Sequence, residues 1–271
     1  PSKPVKIVVS AAPGSSPDLT ARVLAQQLSA LWKQAVVVED VPGAGGNLAA
    51  EKVAKSPPDG HTVLFSSAAV LYFNKALYPK LSYDLDKDFI PVSRVSKTPN
   101  LLVVPVNSPY KSVQDLVQTA KQKPGEIRFG SGGSGSSMHV IAEVFSQKAH
   151  VQFEHIPYKS SGAASTEMMA GRVDVTFVTA AEVKGFSKEA RVRLLGISSP
   201  RRSKFLPELT PLAEAGIPGF AYESWWGLLG PAGMPRPLIQ KINAAMEKAL
   251  TDPVVVERLA KLTISPSVMK P

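Results

Sequence analysis

The stretch Gly130-Ser131-Gly132-Gly133-Ser134-Gly135-Ser136-Ser137 carries the strongest chemical signal in the chain. Small residues let backbone N–H groups converge. Where such a loop opens a helix, the unpaired amides and the helix dipole favour an anion. Ser136 and Ser137 add hydroxyl donors. The same glycines satisfy G-x-G-x-x-G through Gly130, Gly132 and Gly135, with Glu154 downstream, so a dinucleotide-dependent enzyme using the Gly130–Gly135 loop is the alternative reading. Against it stand the mid-chain position, the His155 and Pro157 around Glu154, and serines that a pyrophosphate turn does not need. The plainest reading is a tight turn that caps a helix. A second loop, Ala11-Ala12-Pro13-Gly14-Ser15-Ser16, offers the same equipment before another helix.

Other chemistries find fewer residues. There is no cysteine, which excludes thiol catalysis, Cys-ligated zinc and iron–sulfur clusters. The serine loop ends in Ser136 where a nucleophile elbow needs glycine, and no P-loop G-K-[ST] occurs. The histidines are His61, His139, His150 and His155, and none forms an H-x-x-x-H or H-E-x-x-H pair. His139, in the first turn after the serine loop, suits either a ligand contact or a capping role. Asp18 suits a helix start, with ligand contact as the second reading. Tyr72 and Phe73 follow a strand and suit a cleft wall or the core, while Trp225 and Trp226, adjacent on a strand, point to opposite faces. No catalytic residue, metal or cofactor is expected.

The elements that must position these residues alternate strand and helix. Val5 to Val9 reads as a strand, and Ser16-Pro17-Asp18 as a helix start with Ser16 as cap. Val36 to Val38 and Thr62 to Phe65 read as strands around a short helix capped by Asn47. The unit recurs. Leu101 to Val106, Ile127 to Phe129, Val151 to Ile156, Val173 to Val178 and Arg193 to Ile197 read as strands. Val113 to Lys123, Ser137 to Lys148 and Ser160 to Gly171 read as helices. Two further helices start near Pro235 and Pro253. The pattern predicts an α/β fold of two lobes, each a mostly parallel sheet flanked by helices. The expected lobes are 1-99 with 222-271, and 100-221. The breaks fall near Lys97-Thr98-Pro99-Asn100 and Ile217-Pro218-Gly219-Phe220. Loops at the carboxyl ends of strands in both lobes would face a shared cleft.

Composition narrows the class. Of 271 residues 44% are hydrophobic and 20% charged, a globular balance. The longest apolar runs are only a few residues, far short of the ~20 a membrane span needs. Lys and Arg outnumber Asp and Glu by 31 to 22, a net charge of +9. The basic residues are scattered and no aromatic-plus-basic motif accompanies them, which argues against nucleic acid and leaves a small anion or a solvated surface.

Five segments resemble the Bug family, the periplasmic solute-binding proteins of tripartite tricarboxylate transporters. They are Ala12-Pro13-Gly14 through Asp18-Leu19-Thr20-Ala21-Arg22; Pro42-Gly43-Ala44-Gly45-Gly46-Asn47 with Pro58-Asp59-Gly60-His61-Thr62; Phe129-Gly130-Ser131 through Ser136-Ser137-Met138-His139; His155-Ile156-Pro157-Tyr158-Lys159; and Trp225-Trp226-Gly227 with Pro231-Ala232-Gly233-Met234-Pro235. They span nearly the whole chain in family order. The resemblance implies a two-lobe, type II-like periplasmic binding fold that closes on a small carboxylate in the interlobe cleft, with membrane transporter subunits as partners. It also implies a monomer in the periplasm, in mature form without its signal peptide. Carried onto this sequence, the ligand residues are Ala12, Pro13, Ser15 and Ser16 on one side and Gly135, Ser136 and Ser137 on the other. Ser66, Ser67, Thr179 and Ala180 would shape the distal end, with Ala11 next to the pocket; Tyr72 and His139 join them as candidates from the reading of the residues above. Where the family often has phenylalanine this chain has Ala11, which would open space for a bulkier body such as an aromatic mono- or dicarboxylate. Val178 stands where the family often has an acid, which would disfavour an amino-acid ligand.

Overall fold

The structure, a computed structural model, describes residues 1–187 and 191–271. The chain runs β1 (Val5–Val9), α1 (Ser16–Trp32), β2 (Val36–Asp40), a 3-10 turn (Ala44–Gly46), α2 (Asn47–Ala54), β3 (Thr62–Ser67), a π-helical turn (Ala69–Phe73), α3 (Asn74–Leu77), α4 (Leu85–Asp88) and β4 (Phe89–Pro105). It continues α5 (Val113–Gln122), β5 (Arg128–Ser131), α6 (Ser137–Ala149), β6 (Glu154–Pro157), α7 (Ser161–Met169), β7 (Val175–Thr179), α8 (Ala180–Ser187), β8 (Val192–Ile197), β9 (Glu223–Pro231), α9 (Arg236–Thr251), α10 (Pro253–Lys261) and β10 (Ser265–Pro266). The architecture is α/β. It divides into two compact units, Pro1–Lys97 with Trp225–Pro271, and Thr98–Ser224.

The first unit has strand order β2-β1-β3-β9-β4, with β10 on β4. β1 is parallel to β2 and β3, and β9 is antiparallel to β3. β1 is covered on both faces, which is why it reads as a continuous apolar run. Ile7 and Val9 pack with Leu24 and Leu28 of α1, Phe65, Trp226, and Ile242 and Met246 of α9. Val8 and Leu64 pack on the other face with Ala49, Ala50 and Val53 of α2. Trp225 lies against that second cluster, so the adjacent tryptophans do take opposite faces.

In the second unit β7 and β6 flank β5 in parallel, and β4 pairs antiparallel with β7 and β8. One face packs Leu102, Leu116, Phe129, Ile141, Phe145 and Phe177, and the other packs Leu101, Val103, Met138, Met168 and Val178.

Several expected elements shift. The chain passes from one unit to the other at Lys97 and Thr98, within the stretch read above as the break, but β4 runs unbroken through it. Pro99, which has no N–H to give, lies between the ladders to β10, which ends at Lys97, and to β7, which starts at Asn100. Ile217 and Phe220 are fully buried core of the second unit, and the chain leaves that unit within β9 instead. The strand expected from Val151 begins only at Glu154, because Gln152 accepts the Gly125 amide and Phe153 stacks on Phe129 and Phe145. Asn47 does not cap α2. Its side-chain carbonyl accepts from Asn74 (2.6 Å) and the Tyr83 hydroxyl (2.7 Å), and Gly46 takes the cap.

Candidate functional site

In the first unit, β1 is followed by Ser10, whose hydroxyl meets that of Ser66 at 2.8 Å. The loop then turns tightly, with the Ser15 amide donating to the Ala12 carbonyl (3.3 Å) and the Ser15 hydroxyl donating to the same oxygen (2.5 Å). Gly14 has φ +76°, a value that favours glycine. Ser15, not Ser16, is the helix cap, and its hydroxyl is spent on the turn rather than on the helix. Asp18 fixes the loop instead. Its Oδ2 accepts the Gly14 amide at 2.7 Å, and Arg22 lies against Oδ1 as an ion pair at 2.6 Å. Arg22 also reaches Asp40 at 2.8 Å. Burial, then the neighbouring Asp18 charge, pushes the Asp40 carboxyl above its ordinary range. The amides of Ser16 and Asp18 and the Ser16 hydroxyl have no partner among the described residues.

The serine-rich loop in the second unit repeats this geometry. The Ser136 amide donates to Gly133 at 3.1 Å, Gly135 has φ +80°, and Ser136 caps α6. The Gly135 amide donates to a side chain in the first helical turn, here His139 Nδ1 at 3.1 Å. Ser136 Oγ accepts the His139 amide at 3.3 Å. The amides of Ser137 and Met138 and the Ser137 hydroxyl have no partner among the described residues. Each unit thus presents a helix start with unpaired first-turn N–H groups at the carboxyl end of a parallel strand, equipment suited to an anion. The shared signature, Gly-Ser-Ser-x-Asp at Gly14–Asp18 and Gly-Ser-Ser-x-His at Gly135–His139, is legible in the sequence but escaped the motif reading.

The remaining expected residues fare differently. Ala11, Ala12 and Pro13 lie in the first loop, partly or fully exposed. Ser66 and Ser67 are buried, Ser66 on Ser10 and Ser67 facing the Val70 amide at 3.5 Å. Tyr72 is 64% exposed, against Trp225. Thr179 is committed to capping α8: its amide and hydroxyl donate to Glu182, and its hydroxyl accepts the Glu182 amide. Ala180 and Val178 are buried in the apolar cluster with Leu101 and Met168. Sequence reasoning missed Asp40 and His155 behind the loops, because no local spacing brings β2 to α1 or β6 to α6; Arg22 was open to it, one helical turn after Asp18.

The glycines of the G-x-G-x-x-G match have packing reasons of their own. A Cβ on Gly130 would meet Val173 at 2.9 Å, and one on Gly132 would meet the Ser161 backbone at 2.9 Å. The Gly133 amide is taken by Ser131 and the Gly135 amide by His139. These two amides, like that of Ser136, are therefore spent within the loop rather than on a pyrophosphate.

Residues 20–271 match the model of the tripartite tricarboxylate transporter family receptor. The chain belongs to this family. A relative in Pseudomonas sp. (strain P51), the UPF0065 protein in the tcbD-tcbE intergenic region, is 37% identical over 97% of this chain and 79% of its own. Protein BugT of Bordetella pertussis is 33% identical over 100% of this chain and 83% of its own. Among solved structures, R. palustris Rpa4515 with adipate superposes with a TM-score of 0.95 at 31% identity, covering 100% of this chain and 91% of that one. MatC of Rhodopseudomonas palustris with bound malate gives 0.90 at 30% identity, covering 98% and 90%. The Bug resemblance and the periplasmic binding fold expected from the sequence are both met. The receptor is a solute-binding protein of a transport system, and the dinucleotide-enzyme alternative has no support among these relatives. No helix among the described residues is long and apolar enough to cross a membrane.

Proposed function

We propose that this receptor captures a small carboxylate in the periplasm, as a monomer, and delivers it to the membrane subunits of its transporter. The observation that carries the reading is the matched pair of loops, each opening a helix with unpaired N–H groups: Ser16 and Asp18 in one, Ser137 and Met138 in the other. Carboxylate oxygens accept such donors and gain from the helix dipole. The adipate and malate held by the two similar R. palustris proteins support the ligand class. Ala11 in place of a ring leaves room for an apolar body, so an aromatic mono- or dicarboxylate belongs among the ligands to try.

Calorimetric titration tests this against adipate, malate, aromatic mono- and dicarboxylates and amino acids, with NAD as a control. Saturable binding of one carboxylate class without NAD binding is expected; binding of NAD alone would overturn the reading. A Ser136→Phe variant places bulk beside the helix start and should weaken the bound carboxylate by at least about tenfold, ~1.4 kcal/mol. Undiminished affinity in that variant would remove the serine-rich loop from the site.

A further inference from the structure

Behind the serine-rich loop, two imidazoles lie face to face. His139 in the first turn of α6 and His155 in β6 stack with ring centroids 4.1 Å apart and planes 11° from parallel. Each ring holds one end of the loop. His139 Nδ1 accepts the Gly135 amide at 3.1 Å, so that nitrogen carries no proton. The proton of the neutral ring is then on Nε2, which faces Glu143 at 3.5 Å. His155 Nε2 meets the Ser131 hydroxyl at 2.6 Å, and Ser131 in turn accepts the Gly133 amide at 3.1 Å. Phe129, the cross-strand partner of His155, packs its ring beside it with centroids 5.9 Å apart.

We propose that His139 and His155 are positioning residues of the anion-binding loop: as a neutral stacked pair they hold the Gly135 amide and the Ser131 hydroxyl, and so set the direction in which the Ser137 and Met138 amides face a bound carboxylate. The inference rests on the carboxylate reading of this loop and extends it to side chains that act through the loop backbone. A proton on His139 Nδ1 would set a donor against the Gly135 N–H, and a proton on either ring would place a cation in the stack. Among the described residues, the ionisable groups facing the pair are each other and Glu143 of α6, while β5 contributes the uncharged Ser131 and Phe129. Burial lowers the basicity of both rings, countered at His139 by Glu143; burial, then the His139 ring, pushes His155 down to about 4. The pair is therefore neutral at neutral pH, and acid releases it.

The test starts on ligand-free protein. Amide and imidazole NMR signals are followed from about pH 8 to about pH 4, across and below the ordinary histidine value of ~6.5. The Gly135 amide is expected to lose its hydrogen-bonded shift in step with His139 protonation, at a midpoint below that value. A Gly135 amide that stays unmoved while His139 titrates would overturn the proposal.

Two variants carry the test to binding, with adipate as probe. In His139→Asn, the side-chain carbonyl can take the place of Nδ1 and does not titrate. Its Gly135 amide should stay protected at all pH values, and its adipate affinity at pH ~8 should lie within about threefold of the parent, ~0.65 kcal/mol. The parent should lose more affinity than this variant on acidification, the ligand's own ionisation being common to both. His139→Phe fills the space without an acceptor and should bind at least about tenfold more weakly. Parallel pH profiles for the parent and His139→Asn, or full affinity in His139→Phe, would also overturn the proposal. Should adipate and the other carboxylates bind to none of these proteins, the carboxylate reading fails, and the Gly135 titration still decides whether the histidine pair holds the loop.

Discussion

Gly14 and Gly132 both sit in the loops proposed to hold the carboxylate, yet for opposite reasons. A Cβ on Gly14 would meet nothing within 4 Å, but the residue has φ +76°. Gly132 would place its Cβ 2.9 Å from the Ser161 amide nitrogen and 3.2 Å from the Ser160 carbonyl carbon. Gly14→Ala should cost ~1 kcal/mol of backbone strain, while Gly132→Ala must push the start of α7 away and should cost up to ~3 kcal/mol. Chemical denaturation midpoints check the order, and equal losses would refute it. His155 gives a pH effect of definite sign. Its basicity is lowered on folding, so the unfolded chain binds the proton more readily. Stability should be full above about pH 6.5 and fall as the pH drops from there toward about 4. Thermal midpoints across that window should fall less in His155→Phe. At this scale the sequence made the two glycine–serine loops legible, because small residues before a helix leave few other readings. It could not show which amides the loops consume, because whether Asp18 and His139 turn back onto the Gly14 and Gly135 amides is set by the path of each loop and not by residue type.

The helix starts show how far local chemistry decides an element. Ser112, Ser136, Ser160 and Asp252 each cap the helix that follows with a side-chain acceptor. Asp252 accepts the Val254 and Val255 amides at 2.9 and 3.4 Å and receives Gln27 from α1 at 2.9 Å. Asp252→Ala should therefore lower stability by ~1 kcal/mol, and Asp252→Asn should recover most of it. Differential scanning calorimetry of the pair reads this directly, and an unchanged Asp252→Ala midpoint would show the cap to be idle. Strands were less legible. β1 and β7 announce themselves as apolar runs, whereas the first half of β4, Phe89-Ile90-Pro91-Val92-Ser93-Arg94-Val95, mixes proline and arginine with its buried valines. Its partners β9 and β10 lie far along the chain, and pairing with them, not propensity, makes it a strand.

For the molecule as a whole, a net charge of +9 should draw in a dianion. Stopped-flow association with adipate is expected to slow as salt rises above ~0.1 M, where charges are screened beyond about 10 Å, while dissociation changes little. A salt-independent association rate would show that the scattered basic residues do not steer the ligand. The alternation of apolar strands with capped, amphipathic helices determined an α/β protein, because side-chain period and helix caps are local properties. The spacing of five motifs was enough to suggest the receptor family. Tertiary structure alone decided that Val178 and Ala180 are core and that His155 comes to lie on His139. Each of those outcomes depends on which strands become neighbours. That choice is made by burying apolar faces across long sequence separations, where no local pattern records the partner.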